Sequence, residues 1–156
     1  DTYFPASKLA WLFKHEPVDP ARVGIDGYSY GGFMVTYALT HSTMFKLGIA
    51  GGPVTDWRLY DSVYTERFMR LPADNAAGYD ASSVLRAAHK LHGRLLLVHG
   101  VVDDNVHMQN TLQLMEKLQQ AGLPFETMFY PTDDHGIHRG HAHFQRLRYD
   151  FIRKNL

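Results

Sequence analysis

Serine is a weak nucleophile until a neighbouring base takes its proton. Ser29 lies in Gly27-x-Ser29-x-Gly31, the nucleophile-elbow pattern. A sharp strand-to-helix turn there would lift the serine above a sheet, and glycines two residues either side would relieve contact with the flanking strand and helix. The apolar run at 22–26 reads as a buried strand before the turn. The pattern from Gly31 onward reads as a helix after it, with Gly32 as an extra glycine. At that helix N-terminus the Tyr30 amide could point at a developing oxyanion. The bland alternative is a glycine-rich turn with a capping serine; the catalytic one needs a base and an acid.

His135, beside Gly136, is the candidate base, and the glycine leaves its ring room to swing toward Ser29. Its other nitrogen needs an acceptor that fixes the tautomer and stabilises the imidazolium. Asp103, Asp104, Asp133 and Asp134 are the candidates. Asp133 and Asp134 lie close to His135 in sequence and read as solvated loop residues, while spacing does not separate Asp103 from Asp104. Of the ten histidines, His138, His141 and His143 form H-x-x-H-x-H. With no carboxylate or cysteine at matching spacing, they read as surface residues rather than a metal site. No metal and no cofactor is expected. His99, at a strand end, reads as packing or as support for the site.

The elements that must position these groups alternate. A short helix is expected at 7–14, the elbow strand at 22–26, and a helix at 31–40 that buries Met34, Val35 and Leu39. Then come a strand at 45–50, a helix at 57–69, a loop at 71–81 and a short helix at 82–89. A strand at 95–99 has the continuous apolar pattern of a parallel-sheet interior. A helix at 109–121 places Leu112, Met115 and Leu118 on one face. A strand at 125–130 and a closing helix at 141–155, with Phe144, Leu147 and Phe151 inward, complete the chain. Four strands alternating with helices imply a single α/β domain over 1–156, with a parallel sheet and right-handed crossovers. Ligand sites in such sheets lie at the carboxyl ends of the strands. There Ser29, then Asp103 or Asp104, then His135 follow the α/β-hydrolase order of nucleophile, acid and histidine.

Composition excludes several other classes. The 156 residues are 45% apolar and 21% charged, with a formal net charge of +0, so no basic field points to nucleic acid. The absence of cysteine rules out disulfides, cysteine zinc sites and a cysteine nucleophile, and leaves the compartment open. No apolar run approaches membrane-spanning length. The chain opens on Asp1 rather than Met, so a processed or truncated start is expected. Tyr60 and Tyr64, at i, i+4 on the expected helix, share a face. With Trp57 and Val54 they could wall an apolar pocket, although an aromatic core stripe would look the same.

Four segments together resemble the C-terminal catalytic region of the dipeptidyl peptidase IV family, in the prolyl oligopeptidase clan of serine peptidases. They are Gly27-Tyr28-Ser29-Tyr30-Gly31-Gly32, Tyr60-Asp61-Ser62-Val63-Tyr64-Thr65-Glu66-Arg67-Phe68-Met69, His99-Gly100-Val101-Val102-Asp103-Asp104-Asn105-Val106-His107 and Asp134-His135-Gly136-Ile137. The resemblance implies Ser29 as nucleophile, Asp103 rather than Asp104 as acid, His135 as base and Tyr30 as a backbone oxyanion donor. It further implies that Val54, Trp57, Tyr60, Tyr64 and Val106 line a pocket for a substrate proline, and that Asn105 bonds a substrate carbonyl. The implied reaction releases N-terminal Xaa-Pro or Xaa-Ala dipeptides; an acylaminoacyl peptidase, an esterase or an inactive fragment are the alternatives. The family's earlier sheet strands, its propeller glutamates and a second oxyanion donor have no counterpart here. The chain is therefore expected to be part of a larger enzyme, with the elbow strand at an open sheet edge that pairs with another copy or with the upstream part.

Overall fold

The computed structural model describes residues 14–16 and 19–156; the helix expected at 7–14 lies outside them except for Lys14. Four strands pair in parallel in the order β1-β2-β3-β4: β1 Gly24–Tyr28, β2 Leu47–Gly51, β3 Arg94–Gly100 and β4 Glu126–Tyr130. Parallel neighbours require crossover connections, and helices make them. α1 Tyr30–His41 joins β1 to β2. α2 Ser62–Met69, α3 Ala76–Ser82 and α4 Val84–Ala87 lie between β2 and β3. α5 Gln109–Gln120 joins β3 to β4, and α6 His141–Asn155 closes the chain. This is the α/β-hydrolase-type arrangement that the sequence implies.

Both faces of the sheet are covered. Leu95 and Leu97 of β3 pack with Val35 and Leu39 of α1 and Leu114 and Leu118 of α5. Leu96 and Val98, pointing the other way, pack with Ile49 of β2 and with Phe144 and Phe151 of α6. Alternation therefore feeds two cores from one strand, which is why β3 reads as unbroken apolar sequence. α1 sits closest to the sheet at Gly48, where a Cβ would lie 2.5 Å from Leu39 Cδ1.

Several expectations change. The elbow strand runs two residues later than 22–26; it lies at the sheet edge expected of it among the described residues, and for that reason its residues are exposed or half-buried rather than buried. Met34 is exposed, and Phe33 and Thr36 take the inward positions beside Val35 and Leu39. In α5 Leu112 is exposed, because the buried stripe runs through Thr111, Leu114 and Leu118. The stretch expected as a loop contains α3, which the Asn75 side chain caps through the Gly78 amide and which buries Tyr79. The helix expected at 57–69 breaks in two. Asp61 caps α2 through the Tyr64 amide at 2.8 Å, leaving Tyr60 before the cap.

Candidate active site

The carboxyl ends of β1, β3 and β4 converge at one rim. Ser29 follows β1 with φ 59° and ψ −118°, a left-handed conformation that costs a non-glycine residue energy. Three contacts hold it there. The Ser29 amide donates to the Gly51 carbonyl at 2.8 Å. A Cβ on Gly27 would lie 2.5 Å from the Gly31 backbone, and one on Gly32 would lie 2.6 Å from the Gly51 carbonyl oxygen. Gly31 itself faces open space, with nothing within 4 Å of an added Cβ. The elbow's second steric glycine is therefore Gly32, which lets α1 start against the end of β2. Ser29 occupies the N-cap of α1 without capping it, so Oγ is left for other partners.

The histidine and the acid arrive because the loops after β3 and β4 are stitched together. Val101 and Val102 donate their amides to the carbonyls of Tyr130 and Asp133. Gly100 permits the approach: a Cβ there would lie 2.2 Å from the Asp134 carbonyl oxygen. Asp133, expected to be solvated, is buried, and its two oxygens accept the Arg139 and Gly140 amides at 2.7 and 2.9 Å. It closes the loop that carries His135 onto the start of α6. The Asp134 side chain is at the surface and accepts the Gly136 amide. An added Cβ on Gly136 would meet only the far end of the exposed His138 side chain, which can turn aside.

The resulting geometry is a relay. His135 Nε2 lies 2.9 Å from Ser29 Oγ, and His135 Nδ1 lies 2.8 Å from Asp103 Oδ2. With the carboxylate facing Nδ1, that nitrogen carries the hydrogen and Nε2 accepts from the serine hydroxyl. Asp103 is 4% exposed. Burial alone would push its carboxyl up. Hydrogen bonds from His135, His99 and the Val106 amide outweigh that and hold it well below the usual carboxylate range. Asp104 is exposed, and no relay contact is made by it. The Tyr28 ring stands edge-on to His135, centroids 5.4 Å apart, in space left by Gly51 and Gly52. Burial, and then the charges of Asp103, Asp134 and Asp133, raise the Tyr28 hydroxyl's pKa, so it stays protonated. Such a set can accept a serine proton, stabilise the resulting imidazolium and expose an alkoxide at a helix N-terminus. The Tyr30 amide is one of the first-turn donors of α1, which have no acceptor within their helix.

Beside the serine lies a cavity of about 640 Å³ lined by Tyr30, Trp57, Tyr64, Thr65, Phe68 and Met69. Trp57, Tyr60 and Tyr64 meet at ring-centroid distances of 5.6 to 6.2 Å. Val54 and Val106 belong to the same core cluster as Trp57, have almost no exposed surface and do not line the cavity. Asn105 is exposed; its Oδ1 accepts the Tyr60 hydroxyl at 2.8 Å, which leaves the amide nitrogen to donate elsewhere. Sequence reasoning missed Thr65, Phe68 and Met69 as cavity residues. The i, i+4 repeat that links Tyr64 to Phe68 on α2 was the available signal. Asn110 was also missed: buried on α5, it binds the Thr55 amide and hydroxyl and so anchors the segment leading to Trp57.

Comparison with known proteins agrees with this architecture. Residues 7–156 match the model of the prolyl oligopeptidase family. The dipeptidyl-aminopeptidase B of Aspergillus niger is 48% identical over 137 residues, 83% of this chain and 15% of that protein. A protein named probable dipeptidyl-aminopeptidase B in Pyrenophora teres f. teres is 47% identical over 152 residues, 95% of this chain and 16% of its own length. The crystal structure of Porphyromonas gingivalis dipeptidyl peptidase 4 superimposes with a TM-score of 0.90 at 48% identity, covering 94% of this chain and 22% of that one. The chain thus spans less than a quarter of each relative. Among the described residues no helix is long and apolar enough to cross a membrane. By family match, sequence identity and superposition alike, the chain belongs to the prolyl oligopeptidase family and corresponds to the catalytic region of its dipeptidyl peptidase IV branch.

Proposed function

We propose that this chain carries the Ser-His-Asp centre of a serine-type dipeptidyl aminopeptidase that releases N-terminal Xaa-Pro or Xaa-Ala dipeptides. The observation that supports it most is the unbroken relay from Ser29 through His135 to Asp103. In this reading Ser29 Oγ attacks the scissile carbonyl carbon while His135 Nε2 takes the hydroxyl proton. The Tyr30 amide binds the oxyanion of the tetrahedral intermediate. His135 returns the proton to the leaving amine, the C–N bond breaks, and an acyl-serine remains. Water, deprotonated by the same imidazole, hydrolyses the ester and restores Ser29. Asp103 holds Nδ1–H throughout and balances the imidazolium.

The aromatic cavity suits a proline ring, which offers apolar faces and no side-chain polar group to satisfy. Trp57, Tyr60 and Tyr64 would grip the ring, Val54 and Val106 would back them, and Asn105 would donate to a substrate carbonyl. The whole chain, 1–156, is read as part of one α/β-hydrolase peptidase domain. Among the described residues β1 is an edge of the sheet, and it would pair with a further polypeptide, either a second copy or the upstream part of the same enzyme.

The test is covalent labelling by a fluorophosphonate in the complete gene product, followed by cleavage of Gly-Pro-anilide against a short acyl ester. Labelling should vanish in Ser29→Ala, with turnover falling by about 10⁶-fold. Labelling that survives in Ser29→Ala overturns the nucleophile. Preference for the ester replaces the peptidase with an esterase on the same fold.

A further inference from the structure

Two imidazoles share the acid of the relay. His135 Nδ1 lies 2.8 Å from Asp103 Oδ2, and His99 Nε2 lies 3.2 Å from the same oxygen. The other oxygen, Oδ1, accepts the Asn105 and Val106 amides at 3.0 and 2.9 Å. An ionised carboxylate has about four acceptor positions; His135 and the Asn105 and Val106 amides occupy three, and the His99 N–H, which bonds the Val106 carbonyl, lies close beside the fourth. His99, near the end of β3, has no exposed surface. Its Nε2 faces two acceptors, Asp103 Oδ2 and the Val106 carbonyl at 2.7 Å, so Nε2 carries the hydrogen. Nδ1, 2.7 Å from Thr111 Oγ1, accepts the threonine hydroxyl.

A buried histidine needs one partner on each nitrogen, and the Val106 carbonyl and Thr111 already provide them. The approach to Asp103 is additional. Its consequence is electrostatic: the positive end of the His99 N–H dipole, 3.2 Å from Oδ2, offsets negative charge on the oxygen that faces His135. Resting on the reading of Ser29, His135 and Asp103 as a catalytic relay, we propose that His99 is a positioning residue for Asp103. It fixes the plane of the carboxylate and moderates the negative charge offered to His135. Thr111 sets the His99 tautomer from α5, so the packing of that helix reaches the relay through one hydroxyl.

Removal of the donor has a defined sign. Oδ2 becomes more negative toward His135, the imidazolium is stabilised, and the acid limb of activity moves to higher pH. A carboxylate less firmly held also slows the reaction. Ser29 and the Tyr28 ring face His135, the Tyr60 hydroxyl interacts with the Asp103 charge, and Asp133 and Asp134 of the β4 loop act on Tyr28 beside them; the substitutions below leave all of them in place.

The experiment follows fluorophosphonate labelling of Ser29 against pH, with kcat and KM for Gly-Pro-anilide, in the complete gene product carrying His99→Leu, His99→Gln or Thr111→Val. His99→Leu should slow labelling about tenfold at the plateau and raise the acid limb by roughly half a pH unit or more, with KM unchanged. His99→Gln, whose amide can still donate, should return the limb toward its original position. Thr111→Val should shift it in the same direction by less, and it decides the matter if His99→Leu does not fold. An acid limb that stays in place in His99→Leu, or in Thr111→Val where that variant alone folds, overturns the proposal whatever the loss of rate. An unsubstituted protein that does not label fails the relay itself, whereas one that labels with an immovable limb fails the role of His99 alone.

Discussion

Asp103 belongs to the His135 relay and Phe68 lines the aromatic cavity, and water reaches them very differently: Asp103 is 4% exposed and Phe68 69%. The acid is held by donors from its own loop, from β3 and from the loop after β4. The Phe68 ring centroid lies 5.2 Å from that of Tyr64 and 5.8 Å from the Arg67 guanidinium, and most of the residue is in water. The relay is assembled by the same backbone contacts that close the sheet rim, so it is finished before any ligand arrives. The aromatic wall is a partly wet surface whose burial waits for an occupant. Substitutions on the two sides should therefore fail in different parameters.

The largest effect is expected on the buried side. Asp103→Asn keeps the shape but can turn an amide N–H toward His135 Nδ1 and select the wrong tautomer. A comparable change in a serine protease triad costs about 10⁴ in turnover, and a loss of that order in kcat with little change in KM is expected here. Stability should report the same carboxylate. Its pKa is depressed in the fold, so its contribution is complete above the unfolded carboxylate value of about 4 and is lost as pH falls toward the folded value. Urea midpoints between neutral and acid pH should fall less steeply for Asp103→Asn than for the unsubstituted protein. Parallel slopes would mean that its donors do not favour the ionised form.

How much of this was legible depends on whether the information was local. The apolar run of β3 and the elbow pattern are local signals, and so is the order of a serine, an acid and a histidine after the strands; spacing left Asp103 and Asp104 undivided, and only the family resemblance favoured Asp103. Asp133 was not legible, because its donors sit six and seven residues ahead at Arg139 and Gly140, and nothing in Asp-Asp-His marks which acid turns inward. α3 hid in a run of small residues, with its hold on the fold concentrated in buried Tyr79 and that hydroxyl's bond to the Arg70 carbonyl. The phase of α5 slipped because Thr111 and Asn110, both polar, point inward where hydropathy favoured Leu112. Aromatic spacing suggested an apolar pocket but not that Thr65, Phe68 and Met69 line it, nor the break at Asp61, which depends on one side-chain cap.

The elbow supplies a smaller and sharper contrast within the rigid side. Gly32→Ala would drive a Cβ to 2.6 Å from the Gly51 carbonyl oxygen and 3.1 Å from Pro53 Cα, both backbone atoms that cannot rotate away. Overpacking of that kind costs roughly 1–3 kcal/mol. Gly31→Ala meets nothing within 4 Å and lies within α1, where alanine is better than glycine by roughly 0.5–1 kcal/mol. Urea denaturation of the two variants should move in opposite directions. If Gly31→Ala proved the more damaging, the assignment of the steric role to Gly32 would be wrong and the pattern's own glycine restored.

The smallest effect belongs to the wet side. Phe68→Ala removes a ring that is already mostly in water, so stability should change by no more than about 0.5 kcal/mol, as for most surface substitutions. On the proposed reading, the ring's value lies in what it buries once a substrate fills the cavity it lines with Trp57 and Tyr64. Some 40 Å² of apolar contact at about 25 cal/mol per Å² is roughly 1 kcal/mol, or about fivefold in affinity. That loss should appear in KM for Gly-Pro-anilide, while kcat and the acid limb stay in place because no relay atom has moved. A fall in kcat at unchanged KM would erase the division between the two sides. It would make the wall part of the chemistry, acting through Tyr30, which lines the same cavity and follows the nucleophile directly.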